Sequence, residues 1–520
     1  MAVPRRVLVV ASPAAAEEAV AALRFAPGEV ELAGVVLTAP GRPPGAAPLL
    51  GLADELPQLL QRHRPEHVFV WLATSQAREA LALRQTLEEH SVAFSFHAPI
   101  AESLQRPEAP GGVRAPAAAL QRRPSSADLA ALLGRAPRPL DLSLARPLIE
   151  GARVLITGAG GSIGSELARL CAGLAPAEII LMERAENALF EIDRQLSAAH
   201  AELPRRAILH DVAEEAATRR IFLRVRPDVV FHAAAHKHVP LMEDHPVQAV
   251  RNNVLGAVAS AQSAIDAGAR RFVFISTDKA VHPRSVMGAT KRLAELAVRR
   301  LHERSRAAGG RTLLRMVRFG NVLGSNCSVL PIWEKQIAEG GHITVTDPRM
   351  TRYFMTIPEA AALVTQAAAL DEEEAQGADL FVLDMGRPVR ILDLAMRFLR
   401  QQGLTPRLEG PCQALGTAAP AQKHSRSIAV RIVGARPGEK LHEELAYGAE
   451  ELRPTRAQGV LAWKGRIENP RQVDRMLAEC RQLVDRDDAA DTLLQLRRWF
   501  PSLQEPVVHP ISQPQQAGAA

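Results

Sequence analysis

Aromatic residues make up only 4% of this 520-residue chain. Few rings are available to stack on bases, and a net charge of +6 over that length is weak support for nucleic-acid binding. Cysteine is scarce too. Cys171, Cys327, Cys412 and Cys480 lie far apart without paired spacing, which excludes a disulfide framework and reads as reduced thiols in a cytosolic protein. No apolar run approaches the roughly 18 residues that a membrane-spanning helix needs. The opening MAVPRRVLVVASPAAAEEAV has only VLVVA as its apolar stretch before acids appear, which fits a strand better than a signal peptide. Lysine is the last shortage. The seven are Lys237, Lys279, Lys291, Lys335, Lys423, Lys440 and Lys464, within 63 lysines and arginines together. Arginine does not deprotonate in proteins whereas lysine can be tuned, so lysines close to a cofactor motif stand out.

What is present is the composition of an ordinary folded protein, 47% hydrophobic and 23% charged. At about 150 residues per domain the length predicts roughly three units. Residues 1–105 alternate buried-strand runs (RVLVVAS, VELAGVVL, HVFVWLA) with helical ones, a small Rossmann-like α/β domain. Its first strand-to-helix turn, ASPAAAEE, has no glycine, so this degenerate domain is not expected to hold a dinucleotide. Residues 106–150, rich in Pro, Ala and Arg, read as a linker with one short helix. Residues 151–325 carry a stronger series of strands (RVLIT, EIILM, RAILH, VVFHAAA, RFVFIST, LRMVRFG), a doubly wound parallel Rossmann sheet. Residues 326–450 read as a smaller C-terminal set of substrate-binding segments, 451–504 as a helical region and 505–520 as a disordered tail.

RVLITGAGGSIGSELARL is a strand, a tight glycine turn and a helix, with Gly158, Gly161 and Gly164 at intervals of three. Missing Cβ atoms let the backbone approach a pyrophosphate, and the helix N-terminus at Ser162 and Ile163 favours its charge. Glu183, ending the next strand, can accept from the adenosine ribose hydroxyls, which favours NAD; Arg184 beside it could instead meet the 2′-phosphate of NADP. Asp211 and Val212 after the third strand would lie near the adenine. Ala233, Ala234 and Ala235 leave room for the cofactor, and Ser276 ends the fifth strand nearby.

The glycine spacing, with FHAAAHKHVP and ISTDKA downstream, resembles the extended short-chain dehydrogenase/reductase superfamily. That group usually carries Tyr-x-x-x-Lys on a helix after the fifth strand. Here VMGATKRLAE puts Met287 at the tyrosine position and Lys291 at the lysine position, on one helical face. Methionine cannot exchange a proton, while Lys291 can still hold the nicotinamide ribose. The block STDKAVHPRSVMGATKR, with AAAHKHVPLME, NNVLGA, VRFGNVLGS, ITVTDPRMTRYFMTIPEA, FVLDMGRPVRILDLA and GARPGEKLHEEL, resembles the CapD-like polysaccharide biosynthesis family over about residues 125–450.

The resemblance implies a nucleotide-sugar 4,6-dehydratase, a hydro-lyase with recycled NAD acting mostly on UDP-N-acetylglucosamine. Hydride leaves sugar carbon 4, the proton on carbon 5 becomes acidic, water is lost, and hydride returns at carbon 6. Lys279, if partly neutral, is the candidate base at carbon 5. Asp278, if protonated, would donate to the departing 6-hydroxyl. Thr277 would contact the 4-hydroxyl in place of tyrosine. The Asp-Lys pair resembles the branch that inverts carbon 5. A charged pyrophosphate calls for cations and donors. Arg352 and Arg436 are candidate phosphate or uridine contacts, with Asn253, Asn321 and Glu439 as further polar contacts. His236, Lys237 and His238 sit just past the fourth strand, at the carboxyl edge where ligands bind, and His236 and Lys237 are further candidate substrate contacts; the two histidines have no further His/Asp cluster, so no metal is expected.

Most members of that family carry transmembrane helices ahead of the first Rossmann-like unit, and this chain starts almost at that unit. The expectation is a cytoplasmic homo-oligomer, peripheral to the inner membrane face through glycan-synthesis partners. Two other readings stay open. A 4-epimerase would need the same cofactor but normally a tyrosine. A catalytically inactive NAD-binding module would bind without turnover.

Overall fold

Short apolar runs punctuated by turn residues build two large sheets, one all parallel and one mostly parallel. A computed structural model describes residues 5–24, 30–41, 47–72, 76–90, 92–97, 129, 132–135, 142–325, 327–339, 341–409, 427–436, 438–448, 451–465 and 469–504. Most of the 106–150 linker, the 505–520 tail and Cys412 lie outside the described residues. The chain divides into two compact units.

The first unit comprises residues 1–137, 327–348 and 391–433. Its strands β1 (Arg5–Ala11), β2 (Val30–Leu37), β3 (Leu49–Leu52), β4 (His67–Trp71) and β5 (Ala93–His97) pair in the order β3-β2-β1-β4-β5, all parallel. Helices Ala16–Arg24, Leu56–His63 and Ala77–Glu89 connect them. In the glycine-free turn after β1, the methyls of Ala15 and Ala16 are buried in the core beside Val9 and Val35. The later pieces add a three-stranded parallel sheet of Ile343–Val345, Ser427–Ile432 and Thr405–Glu409. Helix Ile391–Gln401 carries Arg397, which donates to the Leu132 carbonyl over 3.1 Å.

The second unit comprises residues 138–326, 349–390 and 434–520. Residues 326–450 are therefore shared between the units, because the strands at 343–345 and 427–432 find each other as partners and leave 349–390 with the larger sheet. That sheet contains β6 (Arg153–Thr157), β7 (Glu178–Glu183), β8 (Arg205–Leu209), β9 (Val229–His232), β10 (Arg271–Ile275) and β11 (Leu313–Arg318), in the order β8-β7-β6-β9-β10-β11. Leu380–Leu383 extends it in parallel beyond β11, and Val460–Lys464 and Glu451–Pro454 close the edge antiparallel. The helical reading of 451–504 thus begins at helix Pro470–Arg486; the preceding VLAWK buries Val460, Ala462 and Trp463 as a strand. β9 and β11 are buried along their whole length, as strands covered on both faces must be. Strand order reverses between β6 and β9. This is the place where open parallel sheets of the doubly wound α/β class form a ligand crevice, at the carboxyl ends of the strands.

Candidate active site

The glycine turn sits in that crevice. Gly158 has φ +64°, and a Cβ there would lie 2.6 Å from the Ala234 nitrogen, so the turn after β6 packs directly on the backbone after β9. A Cβ on Gly164 would meet the Gly158 carbonyl oxygen at 2.1 Å, which holds helix Ser162–Ala172 tight against the turn. Gly161 differs: a Cβ would touch only the Gly158 oxygen, at 3.2 Å, with nothing else within 4 Å. Its outer side is open for a ligand at the N-terminus of an eleven-residue helix, with Ser162 and Ile163 in the first turn. This cradle fits a dinucleotide pyrophosphate.

Glu183 closes one side. Its carboxylate accepts from the backbone of Gly160 at 3.2 Å, Arg184 at 2.9 Å and Ala185 at 3.0 Å. Arg184 is hydrogen-bonded to His236 and lies 3.9 Å from Asp211. A cleft of about 580 Å³ opens beside them, lined by Arg184, Ala185, Leu209, His210, Asp211 and Glu214. Burial lowers the His236 imidazole below its ordinary value, and Arg184 adds to this. Val212 is buried beneath the cleft in the core. Ala233 donates to the Thr157 carbonyl at 3.1 Å, and Ala235 is exposed.

The fifth strand, β10, ends in Ser276-Thr277-Asp278-Lys279. The backbone N–H groups of Ser276 and Asp278 still donate to the carbonyls of Val317 in β11 and of Phe319 just beyond it, which fixes the turn. Thr277 Oγ1 donates to Asp278 Oδ1 over 2.9 Å. Lys279 Nζ donates to the same oxygen at 3.0 Å and to Asn321 Oδ1 at 3.3 Å. It also lies 3.6 Å from Glu443 Oε1. The Lys279 side chain is 22% exposed and that of Asp278 0%, so the lysine is the open member of the pair. Asp278 Oδ2 is buried without a hydrogen-bond partner among the described residues, beside Gly320, where a Cβ would come within 3.0 Å of it. Burial pulls the Lys279 ammonium down, but Asp278 and Glu443 outweigh it and hold the group above its ordinary value. Lys279 therefore rests charged, and a partly neutral lysine at rest is corrected to an ammonium between carboxylates.

Helix Val286–Ala307 starts at Ser285, whose hydroxyl caps the Gly288 nitrogen at 3.1 Å. Met287 is buried in the apolar core of this unit. Lys291, one turn on, is buried, donates to the Ile275 carbonyl and lies 4.0 Å from the Phe274 ring centroid. Burial brings its ammonium down to about 7, against the pull of Glu295. His232 beside it is pushed by burial to about 3, and its Nδ1 pairs with the Thr157 hydroxyl at 2.9 Å.

Several expected contacts turn inward. Ser276 donates to Glu295 at 2.6 Å, inside a buried group in which Arg318 bonds both Glu295 oxygens at 2.7 and 2.8 Å. Asn253 is buried on a π-helical turn; it accepts from His236 N at 2.8 Å and reaches Thr290 at 3.2 Å, so it fixes the loop after β9. Arg352 is buried, donates to the Leu441 carbonyl at 3.2 Å and lies 3.8 Å from Glu443. Lys237 and Arg436 are exposed, and Glu439 bonds the Arg436 backbone at 3.3 Å. Among the described residues no group of three His, Cys, Asp or Glu is placed to hold a metal ion. No described helix is long and apolar enough to cross a membrane.

Glu443, Lys440, Glu295 and Arg318 were not singled out from the sequence. The density of charge in GEKLHEEL was the available signal for the first two, since a run that is later buried must be paired.

Comparison with known proteins agrees with this geometry. Residues 154–464 match the model of the family described as polysaccharide biosynthesis protein. The capsular polysaccharide biosynthesis protein CapD of Staphylococcus aureus is 43% identical over 339 residues, 65% of this chain and 52% of that protein. A UDP-glucose 4-epimerase of Rickettsia typhi is 35% identical over 219 residues, 42% of this chain and 55% of that protein. The UDP-N-acetylglucosamine 4,6-dehydratase (inverting) of Campylobacter jejuni is 30% identical over 301 residues, 57% of this chain and 78% of that enzyme. The chain spans about half the length of the capsular relative it matches. A parallel sheet wound about a glycine turn, with a lysine turn at the end of its fifth strand, is in this chain the core of a member of the CapD-like polysaccharide biosynthesis family.

Proposed function

We propose that the chain is a nucleotide-sugar 4,6-dehydratase that converts UDP-N-acetylglucosamine to a UDP-4-keto-6-deoxy sugar for surface polysaccharide. The observation that carries this reading is the Thr277-Asp278-Lys279 turn with its partly exposed, charged lysine, in a chain whose tyrosine position is a methionine in the core. The activity for which the Campylobacter relative is named supports it. The glycine cradle, Glu183, Asp211 and Lys291 would hold the nicotinamide dinucleotide, read as NAD because a carboxylate ends β7. When bound, that cofactor supplies a reversible two-electron oxidation of the sugar.

Each proton step then falls to the chain. Thr277 faces the 4-hydroxyl and is already hydrogen-bonded to Asp278, so a proton released at the 4-oxygen passes through the threonine to the carboxylate. With carbon 4 a ketone, the carbon 5 proton is acidic. The family resemblance implies that Asp278 donates to the 6-hydroxyl; because its side chain is fully buried, we place it behind Lys279 instead. Lys279 gives one proton to the departing hydroxyl, which leaves as water, and takes the carbon 5 proton, ending charged as it began. Carbon 5 then regains one proton, the one that Asp278 took from the 4-oxygen and hands on through Lys279, so both residues end as they began; its delivery to the opposite face of carbon 5 would invert that centre.

Incubation with UDP-N-acetylglucosamine tests the proposal. The expected product has lost one water and carries a 4-ketone by mass and NMR analysis, and Lys279→Met makes none while retaining cofactor. Formation of UDP-N-acetylgalactosamine would replace this reading with the 4-epimerase. Cofactor binding without conversion of UDP-, GDP- or dTDP-sugars would replace it with the inactive module.

A further inference from the structure

Residues 438–448 form a strap over the lysine turn. Lys440 Nζ donates to the Val281 carbonyl at 2.6 Å, and Tyr447 Oη to the Ala280 carbonyl at 3.3 Å. The backbone of Thr351 donates to the Leu441 carbonyl at 2.9 Å, and Arg352 reaches the same oxygen. These contacts fix both ends of the strap and place Glu443 between them. Its side chain is 3% exposed. Oε1 faces Lys279 at 3.6 Å and Arg352 at 3.8 Å, and Oε2 faces Lys440 at 3.8 Å with no hydrogen-bond partner among the described residues.

A carboxylate this deep is costly unless opposite charges surround it. Lys440 and Arg352 are each tied to backbone carbonyls, so they hold Glu443 in place. Lys279, 22% exposed against 8% for each of the other two, is the most open of the three cations. From this geometry we infer that Glu443 is a positioning residue for Lys279: it keeps the amine protonated and aimed between itself and Asp278 until a substrate draws the proton away. The inference deepens the dehydratase reading and rests on it for its role in turnover. The charge pairing itself does not depend on which sugar is used.

Competitive acetylation of the full chain across pH, read at the Lys279 peptide by mass spectrometry, tests this without turnover. In the unaltered chain the Lys279 midpoint lies above those of exposed lysines. Glu443→Gln removes one of two flanking negative charges, and the midpoint falls by about 1 pH unit or more. Glu443→Asp keeps the charge but draws it back by one methylene, giving a midpoint between the two. The alkaline limb of kcat/KM on the converted sugar moves to lower pH by the same step, while KM changes little. A merely structural Glu443 would lower thermal stability and leave the Lys279 midpoint where it was. An unchanged midpoint in Glu443→Gln overturns the proposal; should that variant not accumulate, an unchanged midpoint in Glu443→Asp does so. If the midpoints shift as expected yet no sugar is dehydrated, the pairing stands and the dehydratase reading falls.

Discussion

Thr277 and Asp278, neighbours in the chain, are joined side chain to side chain, with the hydroxyl donating to a carboxylate that has no exposure of its own. A threonine hydroxyl alone is a poor proton acceptor; one already bonded to a buried carboxylate is the mouth of a relay. Under the proposed dehydration, this gives a physical account of how a chain with methionine at the usual tyrosine position would release a proton at a sugar hydroxyl. Thr277→Val, which keeps the shape and removes the relay, is expected to slow conversion by about 10²–10⁴-fold. Thr277→Ser is expected to stay within about tenfold of the unaltered chain. Steady-state rates at saturating sugar, with cofactor content checked by absorbance, decide it.

The three glycines of the turn separate fold from binding. Gly164→Ala drives a methyl onto the Gly158 carbonyl, 2.1 Å away, and is expected to lose about 1–3 kcal/mol of stability together with cofactor. Gly161→Ala meets only one protein atom, at 3.2 Å, and is expected to melt near the unaltered temperature while binding cofactor poorly. Thermal melts with and without added NAD distinguish the two outcomes.

Glu295 anchors the fully buried Arg318. Glu295→Ala leaves that guanidinium without its carboxylate and is expected to cost about 3–5 kcal/mol in urea unfolding. The cost should be the same in the absence of cofactor and sugar, since Ser276, Arg318 and Arg292 are its partners.

Lys291 gives the fold a pH dependence of its own. Its folded value is about 7 against an ordinary 10.5, so between those limits the unfolded chain binds a proton that the folded chain does not. Stability therefore declines as pH falls through this window, and the penalty is complete below about 7. In denaturant titrations, the advantage of Lys291→Met over the unaltered chain should grow on acidification from 10.5 toward 7 and then level off. An advantage that does not vary with pH would remove Lys291 as the cause.

Much of this was legible in the sequence because it is local. A strand, a glycine turn and a helix within twenty residues announce the crevice, and Thr277, Asp278 and Lys279 are consecutive. The parallel sheets follow from short apolar runs separated by helical spacings. What was not legible depends on contacts between distant segments. Nothing near Lys279 reveals that a carboxylate from GEKLHEEL lies beside it, so the charge of the lysine was read without its second counterion. Asp278 looked as available as its neighbour until β11 and Gly320 buried it. Ser276 and Asn253 have the right chemistry for ligands, but packing turned their polar atoms toward Glu295 and His236.

The bond from Lys440 to the Val281 carbonyl bridges 159 positions. A ribosome working from the N-terminus releases the reactive amine long before the segment that closes over it. Every nascent fragment that stops short of that segment lacks both Glu443 beside Lys279 and the Lys440 tie. This corner is therefore closed late in translation, after the parallel strands up to Leu380–Leu383 and before the two antiparallel edge strands.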